Sequence, residues 1–296
     1  MPSEKMSLLL ETRARSPHRI AELAKARTRR PALLGKGGRL FIVAADHPAR
    51  GVLRIGQDPL AMANRFDLLE RLCTALARPG VDGVLGTADI LEDLLLLGAL
   101  EGKVVIGSMN RGGVAGSAFE LDDRFTGYDP PAVASMGFDG GKMLLRIDRS
   151  DPASVATMEA CARAIDGLAE RRLMAMVEPF MSRRVDGKVK NDLSPDATTH
   201  AVAIASGLGR TSAYTWLKVP VVDDMERVMA TSTLPALLLG GEAGGDPDAA
   251  FERWRKALRL PTVRGLVVGR TLLYPPNDDV AGAVDTAAGL LPKEAS

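Results

Sequence analysis

The sequence predicts an α/β protein, a (β/α)8 TIM barrel preceded by a helical extension, and two observations predict it. Eight short apolar runs alternate along the chain with longer amphipathic stretches. Repeated strand–helix units of this kind call for parallel strands. The runs are also apolar almost without interruption, as strands buried on both faces must be. Eight such units within 296 residues fit a closed barrel. A doubly wound open sheet is the alternative that the same rhythm permits.

In order, the runs are "RLFIVAADH" (39–47), "VDGVLGT" (81–87), "KVVIGSMN" (103–110), "KMLLRID" (142–148), "RLMAMVEPF" (172–180), "TWLKVPV" (215–221), "LPALLLGG" (234–241) and "VRGLVVGR" (263–270). Between them lie stretches such as "PLAMANRFDLLERLCTAL", "PASVATMEACARAIDGLAERR" and "PDAAFERWRKAL", with Leu, Ala and Phe at helical spacing. Residues 1–38, rich in Arg and Lys, read as an N-terminal helix across the barrel floor, which leaves 39–296 as the barrel. No linker divides the chain. The third unit carries a long Gly- and Pro-containing segment, 110–141, either a lid with a short helical turn or a plain connection.

Composition narrows the function classes. The net charge of +1 gives no general pull toward nucleic acid or anionic lipid. The N-terminus lacks the apolar core of a signal peptide, and "LEDLLLLGAL" is too short and acidic to span a membrane. The two cysteines, Cys73 and Cys161, read as free thiols of a cytoplasmic protein.

Barrel chemistry projects from the C-terminal ends of the strands, whose side chains alternate between interior and helices. The sixth run then poses a question, because Lys218 lies in the middle of it. A buried ammonium loses solvation worth several kcal/mol unless something offsets the loss. Alternation turns Tyr214, Trp216 and Lys218 inward. It also groups Ile42, Ala44 and Asp46 from the first run, Lys142, Leu144 and Arg146 from the fourth, and Met174, Met176 and Glu178 from the fifth. Two carboxylates and two or three cations therefore converge near the barrel mouth. Any one of them alone could be a structural ion pair; the convergence favours chemistry. A lysine desolvated beside another cation is expected to have a lowered pKa and to attack a carbonyl carbon, giving a Schiff base. Glu178 would shuttle the proton of a substrate hydroxyl, and Asp46 would orient the lysine or help to expel water.

The last two runs end in glycine where a loop and helix begin. Loops in this position hold phosphate by backbone N–H groups in many barrels. Gly240, Gly241 and Gly269, with the Arg270 guanidinium, are the candidates here. His47 reads as a site-lining imidazole. With only His18, His47 and His200 in the chain, no zinc-binding histidine cluster is expected, and no metal or other cofactor. Arg50, Arg54, Arg111, Arg183 and Arg184, joined by Arg146, could meet an anionic far end of a substrate or simply be solvated.

"AADHPARG", "DGGKMLLRI", "MVEPF", "WLKVP", "LLLGGEAGG" and "GLVVGR" occur in the order seen in class I (Schiff-base) aldolases of bacterial and archaeal type, which the chain resembles from about residue 40 to 273. That group includes tagatose-bisphosphate, archaeal-type fructose-bisphosphate and sulfofructose-phosphate aldolases. The resemblance implies Lys218 as the Schiff-base lysine and Glu178 as acid/base. It implies Asp46 and Lys142 as substrate- and lysine-contacting groups, and Gly269 with Arg270 as phosphate binders. "DHPARG" looks like an actinobacterial, deoxyribose-phosphate aldolase-like subgroup associated with inositol breakdown. That implies cleavage of 6-phospho-5-dehydro-2-deoxygluconate to dihydroxyacetone phosphate and malonate semialdehyde. Two departures stand out: "GGEAGG" replaces a Ser-containing turn, and the seventh run lacks the second lysine of true deoxyribose-phosphate aldolases. The expected partner is a small phosphorylated molecule, with neither nucleic acid nor membrane, and a homo-oligomer is expected. A transaldolase-like transfer through the same lysine, or a non-catalytic sugar-phosphate sensor, would use the same residues.

Overall fold

The computed structural model of the protein describes residues 4–35, 37–240 and 247–291. Its strands are β1 (Leu40–Ala44), β2 (Gly83–Gly86), β3 (Val104–Ser108), β4 (Gly140–Ile147), β5 (Met174–Val185), β6 (Lys188–Asn191), β7 (Thr215–Val219), β8 (Ala236–Leu239) and β9 (Val263–Val268). The helices are α1 (Glu4–Arg15), α2 (Arg19–Ala26), α3 (Arg65–Leu76), α4 (Ala88–Leu96), α5 (Pro130–Ser135), α6 (Ala153–Ala169), α7 (Pro195–Ser206), α8 (Met225–Met229), α9 (Pro247–Ala257), α10 (Arg270–Leu273) and α11 (Val280–Ala288).

Parallel pairing runs β4-β3-β2-β1-β9-β8-β7-β5, and β4 also pairs with β5 from Gly140–Met174 to Ile147–Met181. That last pairing closes the ring and decides against the open sheet. The barrel strands are the eight apolar runs. β6 is additional: β5 continues beyond Phe180, and Val185 pairs with Lys188 across Asp186–Gly187. Both turn residues have positive φ, 51° and 75°, as a tight two-residue hairpin requires. Ending the fifth run at Phe180 missed this hairpin, although its Asp-Gly turn is a hairpin signal.

Alternation sorts the strand side chains as expected. Leu40, Ile42, Ala44, Met174, Met176 and Trp216 share an inner cluster, while Phe41, Val43, Ala175, Val177 and Leu217 pack outward under the helices. Tyr214 departs from the expectation. It precedes β7 at the lower rim, half-buried, and its carbonyl accepts from the Ala175 N–H at 2.9 Å. Gly265 lets β9 lie against β1: its φ is +141°, and an added Cβ would stand 1.8 Å from the Leu40 carbonyl oxygen.

The N-terminal segment is two helices rather than one. Arg13 of α1 pairs with Asp93 of α4 at 2.6 Å, and α2 leans on the same helix. Beyond α2, Arg27 donates to the carbonyls of Leu100, Lys103 and Gly137 at 3.2, 2.9 and 2.8 Å. The extended chain that follows brings Leu33 and Leu34 against the inner cluster. Cys73 and Cys161 are free thiols. Among the described residues no helix is long and apolar enough to cross a membrane.

Candidate active site

Strands β1, β3, β4, β5 and β7 and the residues that follow β1 bring Asp46, Ser108, Lys142, Glu178 and Lys218 together, each less than a tenth exposed. Lys218 Nζ donates to Glu178 Oε1 at 2.5 Å. The other Glu178 oxygen, Oε2, faces Nζ of Lys142 in an ion pair. Lys142 Nζ also lies 3.2 Å from Asp46 Oδ2, which accepts from Ser108 Oγ at 3.1 Å and pairs with Arg111 Nη1 at 3.2 Å. The result is one buried row, Lys218–Glu178–Lys142–Asp46–Arg111. It borders a cavity of about 580 Å³.

Burial opposes charge in this row, and alternating signs overcome it for the acids. Desolvation raises Glu178, yet Lys142 and Lys218 bring it down to about 2. Desolvation likewise raises Asp46, while Arg111 and Lys142 hold it well below the usual carboxylate range. Lys142 is pushed down to about 8 by burial and by Arg111, with Asp46 and Glu178 pulling the other way. His47 also borders the cavity and is about a quarter exposed. Burial carries its imidazole down to about 3, with Asp46 opposing and Arg270 and Lys218 adding to the fall. It is therefore neutral at physiological pH.

Arg146 lines the same cavity, but its donors are engaged. Nε and Nη2 meet the two oxygens of buried Asp123 at 2.8 Å each, Nη1 stands 3.5 Å from Glu120 Oε1, and Nη2 also donates to the Glu120 carbonyl. The arginine expected to touch substrate thus fastens the loop after β3. Asn110 fastens it too, donating to the Leu144 carbonyl at 2.6 Å and accepting from the Leu144 N–H at 2.7 Å. Arg50 Nε holds the Gly113 carbonyl at 2.8 Å. α5 is a short helical turn within the 110–141 segment, as read from sequence, and β4 starts at Gly140, so the segment ends two residues earlier than expected. Arg54, Arg183 and Arg184 do not line the cavity; Arg184 instead donates to the Ala118 carbonyl at 2.6 Å.

Gly240, Gly269 and Arg270 border the cavity where β8 and β9 end. Gly241 lies outside the described residues. The glycine at 269 has a steric cause: a Cβ there would come within 2.2 Å of the Ala44 carbonyl oxygen and 3.3 Å of His47 Cε1. A bare backbone at that position lets the chain pass close beside His47. Among the described residues no group of three or more His, Cys, Asp or Glu is placed to hold a metal.

The sequence matches the Cgl0159-like family over residues 38–288. The chain belongs to that family. The crystal structure of Cgl0159 from Corynebacterium glutamicum is similar at 57% identity and TM-score 0.95, covering 98% of each chain. More distant structures share the fold. An archaeal fructose 1,6-bisphosphate aldolase is similar at 18% identity and TM-score 0.64, covering 92% of this chain and 98% of its own. The fructose-bisphosphate aldolase of Slackia heliotrinireducens is similar at 14% and TM-score 0.61, covering 86% and 85%. No curated protein matches the sequence.

Of the site residues, Ser108 went unassigned in sequence, and Arg111 was not singled out from the other loop arginines. Ser108 continues the inward face of Val104 and Ile106, so alternation along the third run contains it. Arg111 was visible only as one loop arginine among several. Its burial depends on Asp46, which is 65 positions away.

Proposed function

We propose that the protein is a class I aldolase that cleaves a phosphorylated keto sugar or keto acid through a Schiff base on Lys218 and releases dihydroxyacetone phosphate. The observation that carries this reading is the buried contact between Lys218 and Glu178 beside a cavity of substrate size. A proton passed along that contact leaves an uncharged amine and an uncharged acid, and burial favours both. The amine adds to the substrate ketone, and the carbinolamine loses water to form an iminium. Glu178, ionised again, takes the proton of the hydroxyl on the carbon two bonds from the iminium carbon. The bond between that hydroxyl-bearing carbon and its neighbour, the carbon next to the iminium, then breaks. Its electron pair passes to the iminium nitrogen as an enamine, and the aldehyde leaves. Protonation of the enamine carbon and hydrolysis free dihydroxyacetone phosphate and the amine.

Register supports Lys218 over Lys142 as the nucleophile. Glu178 pairs with Leu144, whereas Lys142 pairs with Met176 and Ser108 one inward layer lower. Lys142 reaches up from beneath, between two carboxylates, where its ammonium keeps both ionised. The phosphate would lie against Arg270 and the backbone at Gly240 and Gly269, on the strands beyond Lys218. Our best candidate substrate is 6-phospho-5-dehydro-2-deoxygluconate, with ketose bisphosphates, sulfofructose phosphate and deoxyribose phosphate as alternatives.

A coupled assay for dihydroxyacetone phosphate across the keto acid, the ketose bisphosphates and sulfofructose phosphate, with acetaldehyde release followed for deoxyribose phosphate, tests the proposal. At least one should be cleaved, and Lys218→Ala should abolish the cleavage. Cleavage of none of them would exclude the reading.

A further inference from the structure

A buried donor of Arg111 stands without a hydrogen-bond partner among the described residues. Arg111 is 7% exposed and lines the cavity. Its Nε donates to the Asn110 carbonyl at 2.8 Å, and its Nη1 is held by Asp46. Its Nη2 is buried and has no hydrogen-bond partner among the described residues. A guanidinium donor stripped of water and left unmade is costly, so such a group is a natural place for a ligand acceptor.

The position of Arg111 says which part of a ligand would reach it. It follows β3, and Gly240 follows β8. Those strands stand four places apart in either direction around the eight-strand ring, on opposite walls of the cavity. Lys218 lies between them along one side of the ring, on β7. A substrate whose phosphate lies at the β8–β9 wall, with its carbonyl at Lys218, therefore extends its far end toward Arg111. Charge favours an anion there. Lys142, Arg111 and an iminium on Lys218 would outnumber Asp46 and Glu178 by one positive charge. Glu120 lines the wall too, but Arg146 and Arg50 offset it at 3.5 and 3.8 Å. Arg111 offers one spare donor rather than a cluster, which suits a compact carboxylate better than a phosphate.

We infer that Arg111 selects the far end of the substrate by donating Nη2 to a carboxylate, so that the substrate class is a phosphorylated keto acid. This rests on the aldolase reading above. The test compares kcat/KM for 6-phospho-5-dehydro-2-deoxygluconate with that for its analogue reduced to a primary alcohol at the carboxylate end. The wild type should prefer the acid by about tenfold or more, and Arg111→Lys should bring the two within about twofold. Lysine keeps a cation beside Asp46, and a loss of folded protein lowers both rates without changing their ratio; Arg111→Gln is the second variant. An unchanged ratio in both variants, or no preference in the wild type, overturns the inference. Dihydroxyacetone phosphate lacks the far end, so borohydride should still trap it on Lys218 in Arg111→Lys. Failure to trap it on the wild type would sink the aldolase reading instead.

Discussion

Nζ of Lys218 and Oε1 of Glu178 stand 2.5 Å apart inside the barrel, on paired strands β7 and β5. The amine that would attack and the carboxylate that would take its proton are therefore already in contact before substrate arrives. Rigid strands, rather than loops, fix their distance, and that positioning is what a near-attack geometry needs.

Replacing Glu178 by Gln keeps the shape and removes the base. Turnover should fall by about a hundredfold or more, the usual range for losing a general acid–base. Schiff-base formation with dihydroxyacetone phosphate should persist. Near wild-type turnover in this variant would move the proton shuttle elsewhere, with Asp46 the next candidate.

The row of charges also ties stability to pH. Glu178 is held at about 2 in the fold against 4.5 in an open chain, and Asp46 is lowered in the same direction. Folding thus favours their ionised forms. Their contribution is fully present above pH 4.5 and is lost as pH falls toward 2. Lys142 works oppositely. Its ammonium is disfavoured in the fold, so stability rises as pH climbs from about 8 to 10.5. Urea midpoints measured across this range should drop steeply on the acid side; a level curve from pH 4.5 to 2 would contradict the charge assignment.

Much of this was legible in the sequence, because a barrel imposes one rule on every strand. Period two placed Asp46, Lys142, Glu178 and Lys218 on inward faces, and the structure joins them in one row. What the sequence withheld depends on pairing at a distance. Arg146 occupies the inward position that alternation gave it, yet Asp123 and Glu120, both on a loop without periodic pattern, decide that it holds the loop. The same tertiary dependence kept Arg111 from being told apart from the other loop arginines. The N-terminal segment holds two helices where the sequence reading had one.

Asp123→Ala should therefore act through stability. It leaves the Arg146 guanidinium buried with only its contacts to the Glu120 carboxylate and carbonyl, and breaking such a pair from one side costs about 3–5 kcal/mol. Chemical denaturation should show the loss. A variant as stable as the wild type would mean that Arg146 is free to turn into the cavity after all.

Arg270→Ala probes the other wall. Phosphorylated substrates should lose about ten- to a hundredfold in kcat/KM, as expected for one charge-assisted contact. Unphosphorylated analogues should lose far less. Equal losses for both would place the phosphate away from β9.

The central claim is that Lys218 is the residue that becomes covalently attached to substrate. Borohydride added with dihydroxyacetone phosphate should inactivate the protein and leave one reduced adduct, mapped by mass spectrometry to Lys218. An adduct on Lys142 instead, with Lys218→Ala still active, would contradict the account.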